Sequence, residues 1–208
     1  WAFEDESNKR ELVVWAGIFA GFAMGIKYLA LISIGFFAVF IFFKQFKRPE
    51  KCVKGLLAFG SFVFLAGAYW YLRAYFVTGN PVYPYFASIF KSGDPAIHYN
   101  DVGVQKTWLG FLTVPWVLTM KPQLFEGFGV QLGPGYLAFL PITLLAGWKN
   151  AQVRWLCFYS VYFLTAWFLL GQSMRFLVPL LPVLAAVIGT GFGSIPEGTP
   201  KKYLMLLF

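Results

Sequence analysis

The sequence predicts an all-α, polytopic transmembrane helical bundle of about five to six spans, with an extracytoplasmic loop region carrying interfacial helices. Composition is the first observation behind this prediction. The 208 residues are 59% hydrophobic and 21% aromatic, while only 12% are charged. A soluble domain of that size has no need for so little charge. The second observation is a series of long apolar runs, at 12–43, 53–72, 134–148, 155–170 and 176–192, with another starting at Tyr203. The third is that basic residues collect between these runs, as they do in the cytoplasmic loops of membrane proteins. The net charge of +8 is therefore a topology signal, and no nucleic-acid partner is expected.

The first run, Leu12–Phe43, is interrupted by Lys27 and carries Gly17, Gly21, Gly25 and Gly35. At about 1.5 Å per residue it is too long for one upright span and short for two. It is either one steeply tilted helix or two short helices meeting near Lys27. Gly17, Gly21 and Gly25 have the small-xxx-small spacing that lets a neighbouring helix approach closely. Lys44, Lys47, Arg48, Lys51 and Lys54 follow as a basic cluster, and Val53–Leu72 is the next span. That span runs into Arg73, and Thr78-Gly79-Asn80-Pro81 then stops the helix. Gly79 favours positive φ and Pro81 has no N–H to give.

Residues of about 73–133 form the extracytoplasmic segment of what reads as a single transmembrane unit over 1–208. Within it, Thr107–Met120 is apolar but short and broken by Pro115, so it is expected to lie in the interface. Trp108, Phe111 and Trp116 suit headgroup depth. Gly127-Phe-Gly and Gly133-Pro-Gly turn the chain back towards the membrane. Lys149 and Arg154 flank the turn at Asn150, Gly171–Arg175 is a short outer turn, and Lys201–Lys202 precede the last run. The basic loops share one side, which the positive-inside rule makes cytoplasmic. The two-helix reading of the first run also puts Lys9 and Arg10 on that side. Cys52 and Cys157 read as ordinary apolar packing, not as a disulfide framework. The chain opens at Trp1 without an initiator Met or signal peptide and stops in a fresh apolar run. An internal piece of a larger protein is the expectation.

Three cations are candidate ligands for an anion. Lys27 lies within or between apolar helices, where a cation costs about 2.5–3.5 kcal/mol and so normally faces a cavity, a partner or an anion. The bland alternative is a snorkelling side chain or one bound to a backbone carbonyl. Arg73 and Arg175 fall at outer span ends, and the guanidinium fork suits phosphate oxygens as well as it suits plain interfacial anchoring. Arg175 stands just before Phe176-Leu-Val-Pro-Leu-Leu-Pro, whose prolines free carbonyls at a helix mouth. Asp94, His98 and Asp101 are loop candidates for a divalent ion or acid/base chemistry, a weak pattern because Gly93-Asp94-Pro95 opposes a regular helix. A divalent metal ion is the one cofactor left open, and no metal-ligand motif is present.

Gly21-Phe-Ala-Met-Gly-Ile-Lys27-Tyr28, Arg73 with Thr78-Gly-Asn-Pro-Val-Tyr-Pro84, Gly133-Pro-Gly-Tyr-Leu-Ala-Phe-Leu-Pro141 and Arg175-Phe-Leu-Val-Pro-Leu-Leu-Pro182 occur in this order. Together they resemble the middle portion of polytopic glycosyltransferases of the GT-C fold, over about residues 12–193. The nearest likeness is to bacterial and archaeal relatives of the protein mannosyltransferase and aminoarabinose transferase group. That resemblance implies transfer of a sugar from a polyprenyl-phosphate-linked donor to a glycan, lipid or protein acceptor on the outer face. It implies an integral, multi-pass protein of a prokaryotic plasma (inner) membrane, surrounded by membrane lipids. It also assigns Lys27 and Arg175 to the departing lipid phosphate. The family's catalytic aspartate lies in the first outer loop, upstream of Trp1, so the general base is expected outside this chain and the piece alone is expected to be inactive. Other readings are a polysaccharide polymerase or ligase and, from a different class, a transporter or flippase for an anionic lipid-linked substrate. A transporter should show interrupted helices in two corresponding halves. Only one interrupted region is seen.

Overall fold

The computed structural model describes residues 9–92, 102–125 and 133–193. Every regular element among the described residues is a helix, and none is a strand. They fall in two compact units, Trp1–His98 and Tyr99–Phe208. Three helical stretches are long and apolar enough to cross a membrane: Pro49–Thr78, Ala151–Leu170 and Met174–Gly191. These mark the chain as a membrane protein.

In the first unit, α1 (Lys9–Ile26) and α2 (Ala30–Gln45) are two helices separated by three residues. This decides between one tilted helix and two short ones. The break at Lys27 is narrow: Lys27 N–H still donates to the Ala23 carbonyl, and Ala30 N–H to that of Lys27, each at 3.0 Å. α3 (Pro49–Thr78) opens on a proline, which lacks only an N–H that a first turn leaves unbonded anyway. It therefore begins earlier than the basic cluster implied, and Lys51 and Lys54 are helical residues, not loop residues. It also continues past Arg73. Gly79 ends it at φ 73°, its N–H donating to the Tyr75 carbonyl at 2.8 Å. Thirty residues make about 45 Å of helix, more than a hydrocarbon core of about 30 Å requires.

The glycine stripe sets how closely α1 meets α3. A Cβ on Gly17 would lie 2.8 Å from Phe62 Cβ and 2.9 Å from the Phe59 carbonyl oxygen. One on Gly21 would lie 2.7 Å from Ala66 Cβ, and one on Gly25 would run into the Trp70 indole. Without a hydrophobic driving force between helices in lipid, such close approach is what gains dispersion energy. Ile41, Phe59 and Val63 form the buried cluster beneath, with Val13, Ala20, Met24, Ile34 and Leu56 packed against it. Cys52 is buried and free of any disulfide.

In the second unit, α5 (Trp108–Met120) follows the short helix α4 (Ala87–Phe90) of the first in chain order. Thr107 caps α5 by accepting from Gly110 N–H at 3.1 Å. At 13 residues, about 20 Å, α5 is too short to span. Val114 and Leu118 are buried, whereas Trp108, Leu109, Leu112 and Trp116 are exposed. α6 (Gly135–Gly147) and α7 (Ala151–Leu170) both pack against α8 (Leu181–Gly193). Asn150 caps α7 through Gln152 N–H at 2.8 Å, and Arg154 bonds the Trp148 and Lys149 carbonyls. The proline-bearing entry to α8 is drawn into two 3₁₀ turns, Met174–Phe176 and Val178–Leu180. Cys157, on α7, is also a free thiol.

Candidate functional site

The first unit contains a cleft of about 410 Å³ at the end of α1 and along the last turns of α3. Trp70, Arg73, Ala74, Val77 and Thr78 line it from α3. These are spaced by three and four, so they form one stripe on that helix. Lys27 and Tyr28 line it from the α1–α2 turn, and Tyr83 from the loop after α3. Among the described residues that line it none is acidic, while Lys27 and Arg73 bring two positive charges. Both side chains are exposed enough to meet a ligand. A lysine placed directly after a helix C-terminus also offsets the partial negative charge there, which helps keep Lys27 at this point.

The cleft owes its shape to tyrosines. Tyr28 stands edge-on to Tyr71 and Tyr85, with ring centroids 5.7 Å and 5.2 Å away. Its hydroxyl donates to the Tyr83 carbonyl at 2.7 Å. Partial burial pushes the Tyr28 phenol above its ordinary pKa, so it stays a neutral donor around pH 7. The Tyr71 hydroxyl reaches the Met24 carbonyl at 3.4 Å, a long contact. Below the loop, Asn80 is fully buried. Its amide nitrogen donates to the Tyr85 carbonyl at 2.8 Å and the Ser92 hydroxyl at 3.1 Å, and its oxygen accepts from Val82 N–H at 2.9 Å. Thr78 Oγ1 accepts from Asn80 N–H at 3.2 Å. The turn that stops α3 is thus built by its own polar side chains, as buried amides require.

Arg175 belongs to the second unit, in the 3₁₀ turn Met174–Phe176, exposed and with its guanidinium 5.3 Å from the Phe176 ring centroid. The turn before it is held by Gln172, which is buried. Gln172 Oε1 accepts from Val104 N–H at 2.8 Å, and Nε2 donates to the Val104 carbonyl at 2.9 Å. Gly103, at φ 105°, presses so close that a Cβ there would collide with the Gln172 side chain. Trp167 Nε1 donates to the Ser173 carbonyl at 2.8 Å, and its buried ring lies 5.7 Å from that of Phe125. Lys106 Nζ donates to the Leu169 carbonyl at 2.9 Å, at the C-terminus of α7.

Of the residues singled out in the sequence, Lys27 and Arg73 come together in one cleft. Arg175 lies in the other unit, and Asp94, His98 and Asp101 fall outside the described residues. Among the described residues, no group of three or more His, Cys, Asp or Glu side chains stands together to hold a metal. Sequence reasoning missed Tyr28, Tyr71 and Trp70. The three- and four-residue spacing along α3 from Trp70 to Arg73 and Ala74 was the available signal. Comparison with protein families, with curated proteins and with solved structures finds nothing that matches this chain.

Proposed function

We propose that the chain forms the donor-phosphate region of a membrane glycosyltransferase, which moves a sugar from a polyprenyl-phosphate carrier to an acceptor on the extracytoplasmic face. The observation that carries this reading is the cleft itself. A cation from the α1–α2 turn and one from α3 line an aromatic-walled pocket with no acidic residue among the described residues that line it, at the ends of apolar helices. A lipid phosphate has the matching chemistry: an anion tethered to hydrocarbon. The motif order that resembles GT-C glycosyltransferases supports the choice of a sugar carrier over another anionic lipid. On this reading the parent is a bundle of about five to six spans in a prokaryotic plasma membrane, with the cleft on the outer side.

In the reaction, an acceptor oxygen attacks the anomeric carbon as the bond from that carbon to the phosphate oxygen breaks. The acceptor's proton passes to a carboxylate acting as general base. Negative charge grows on the departing phosphate, so a fixed cation there stabilises the transition state more than the ground state. Lys27 and Arg73 supply that charge. The resemblance assigns Arg175, like Lys27, to the lipid phosphate, and Arg175 belongs to the second unit.

The test is transfer by the full-length protein in membranes, using radiolabelled polyprenyl-phosphate sugars as donors. Lys27→Ala should lower turnover about a hundredfold or more, as removal of a transition-state electrostatic partner does elsewhere. Arg175→Lys should also be impaired, because an ammonium cannot reproduce the guanidinium's paired donors. Unchanged turnover of Lys27→Ala with saturating donor would remove the cleft from the reaction.

A further inference from the structure

We infer that Tyr28 is a positioning residue: its hydroxyl bonds the α1–α2 turn to the loop after α3 and so sets where Lys27 meets the phosphate. This rests on the reading of the cleft as a lipid-phosphate site. The turn has only three residues between α1 and α2, so Lys27 has no long loop to adjust its place. Tyr28 follows it directly, and its ring is wedged edge-on between Tyr71 of α3 and Tyr85 of the loop. The hydroxyl spans 55 residues of sequence to reach the Tyr83 carbonyl. Lys27, Tyr28, Arg73 and Tyr83 all line the same cleft. The phenol therefore touches both α3 and the loop while standing next to the lysine in the chain. Its ring contacts maintain packing, and its hydroxyl fixes register.

Ring and hydroxyl are separable, since Tyr28→Phe keeps the edge-to-face contacts and deletes the 2.7 Å hydrogen bond. The probe is neryl monophosphate, a ten-carbon prenyl phosphate, with binding measured on purified full-length protein in detergent. Lys27→Ala should weaken binding about ten- to a hundredfold, the range for losing a charge-assisted contact. Tyr28→Phe should weaken it about fivefold with the unfolding temperature nearly unchanged. Combined with Lys27→Ala, Tyr28→Phe should cost nothing further, because a residue that acts through the lysine has nothing left to position.

If Lys27→Ala binds the probe as well as wild type, the phosphate reading itself fails, and this inference with it. If Lys27→Ala weakens binding but Tyr28→Phe does not, the hydroxyl positions nothing. An equal Tyr28→Phe loss in both backgrounds would show a general packing role and overturn the coupling.

Discussion

The two units hold a cation near the end of apolar helices by opposite means. In the first, backbone meets backbone: glycines on α1 admit α3, and tyrosines close the end where Lys27 and Arg73 lie. In the second, a buried amide does the holding, with Gln172 matched donor-to-acceptor against Val104, one residue ahead of the Ser173 carbonyl that Trp167 secures. Close helix contact relies on many small dispersion terms, so it is sensitive to volume. A buried amide pair relies on two directional bonds, so it is sensitive to chemistry at constant volume. Each unit should therefore break under a different kind of substitution.

The largest effect should come from Gly21→Leu. The added side chain has no space between Val63 and Ala66, so α1 must leave α3 at a cost of at least about 3 kcal/mol. Thermal unfolding in detergent, read with size-exclusion chromatography, should show loss of the folded species. Next is Gln172→Leu, which keeps most of the volume but takes both bonds from the half-buried Val104 N–H and carbonyl, for about 1–3 kcal/mol. Gln172→Glu should be equally harmful at neutral pH, because an ionised carboxylate cannot donate to the Val104 carbonyl. Lowering the pH towards its protonation should restore part of the unfolding temperature, the protonated acid having both a donor and an acceptor.

Asn80→Ala tests whether the first unit carries its own polar dependence. Three side-chain bonds are lost around a fully buried position, and about 2 kcal/mol is expected by the same unfolding measurement. Equal losses at Asn80 and Gln172 would blur the contrast between the units. The smallest effect belongs to Gly60→Ala. No atom lies within 4 Å of a Cβ built there, so a helix-interior glycine becomes an alanine at a gain of about 0.5–1 kcal/mol. A rise in unfolding temperature at Gly60, beside collapse at Gly21, would isolate helix contact from helix propensity.

Much of the first unit was legible in the sequence. Gly17, Gly21 and Gly25 announce a close neighbour because glycine at four-residue spacing clears one helix face. Thr78-Gly79-Asn80-Pro81 announces the end of α3, since the rules for φ and for missing N–H groups are local. Arg73 was placed nearer the helix end than it lies, because hydropathy falls at a charge while hydrogen bonding continues to Thr78. In the second unit the capping roles of Thr107 and Asn150 follow from their residue types, but Gln172 gave no such sign.

By itself, then, the sequence determined the helical class, the apolar stretches and the turn after α3, since each rests on interactions within a few residues, while the choice between one tilted helix and two short ones at Lys27 was left to the structure. The identity of α1's partner was not among them. Nor was the meeting of Lys27 with Arg73, the bond from Tyr28 to Tyr83, or the pairing of Gln172 with Val104 across 68 residues. Only the tertiary structure decided these, because a glycine face, a phenol or an amide specifies the kind of partner it accepts and leaves its place in the chain to packing.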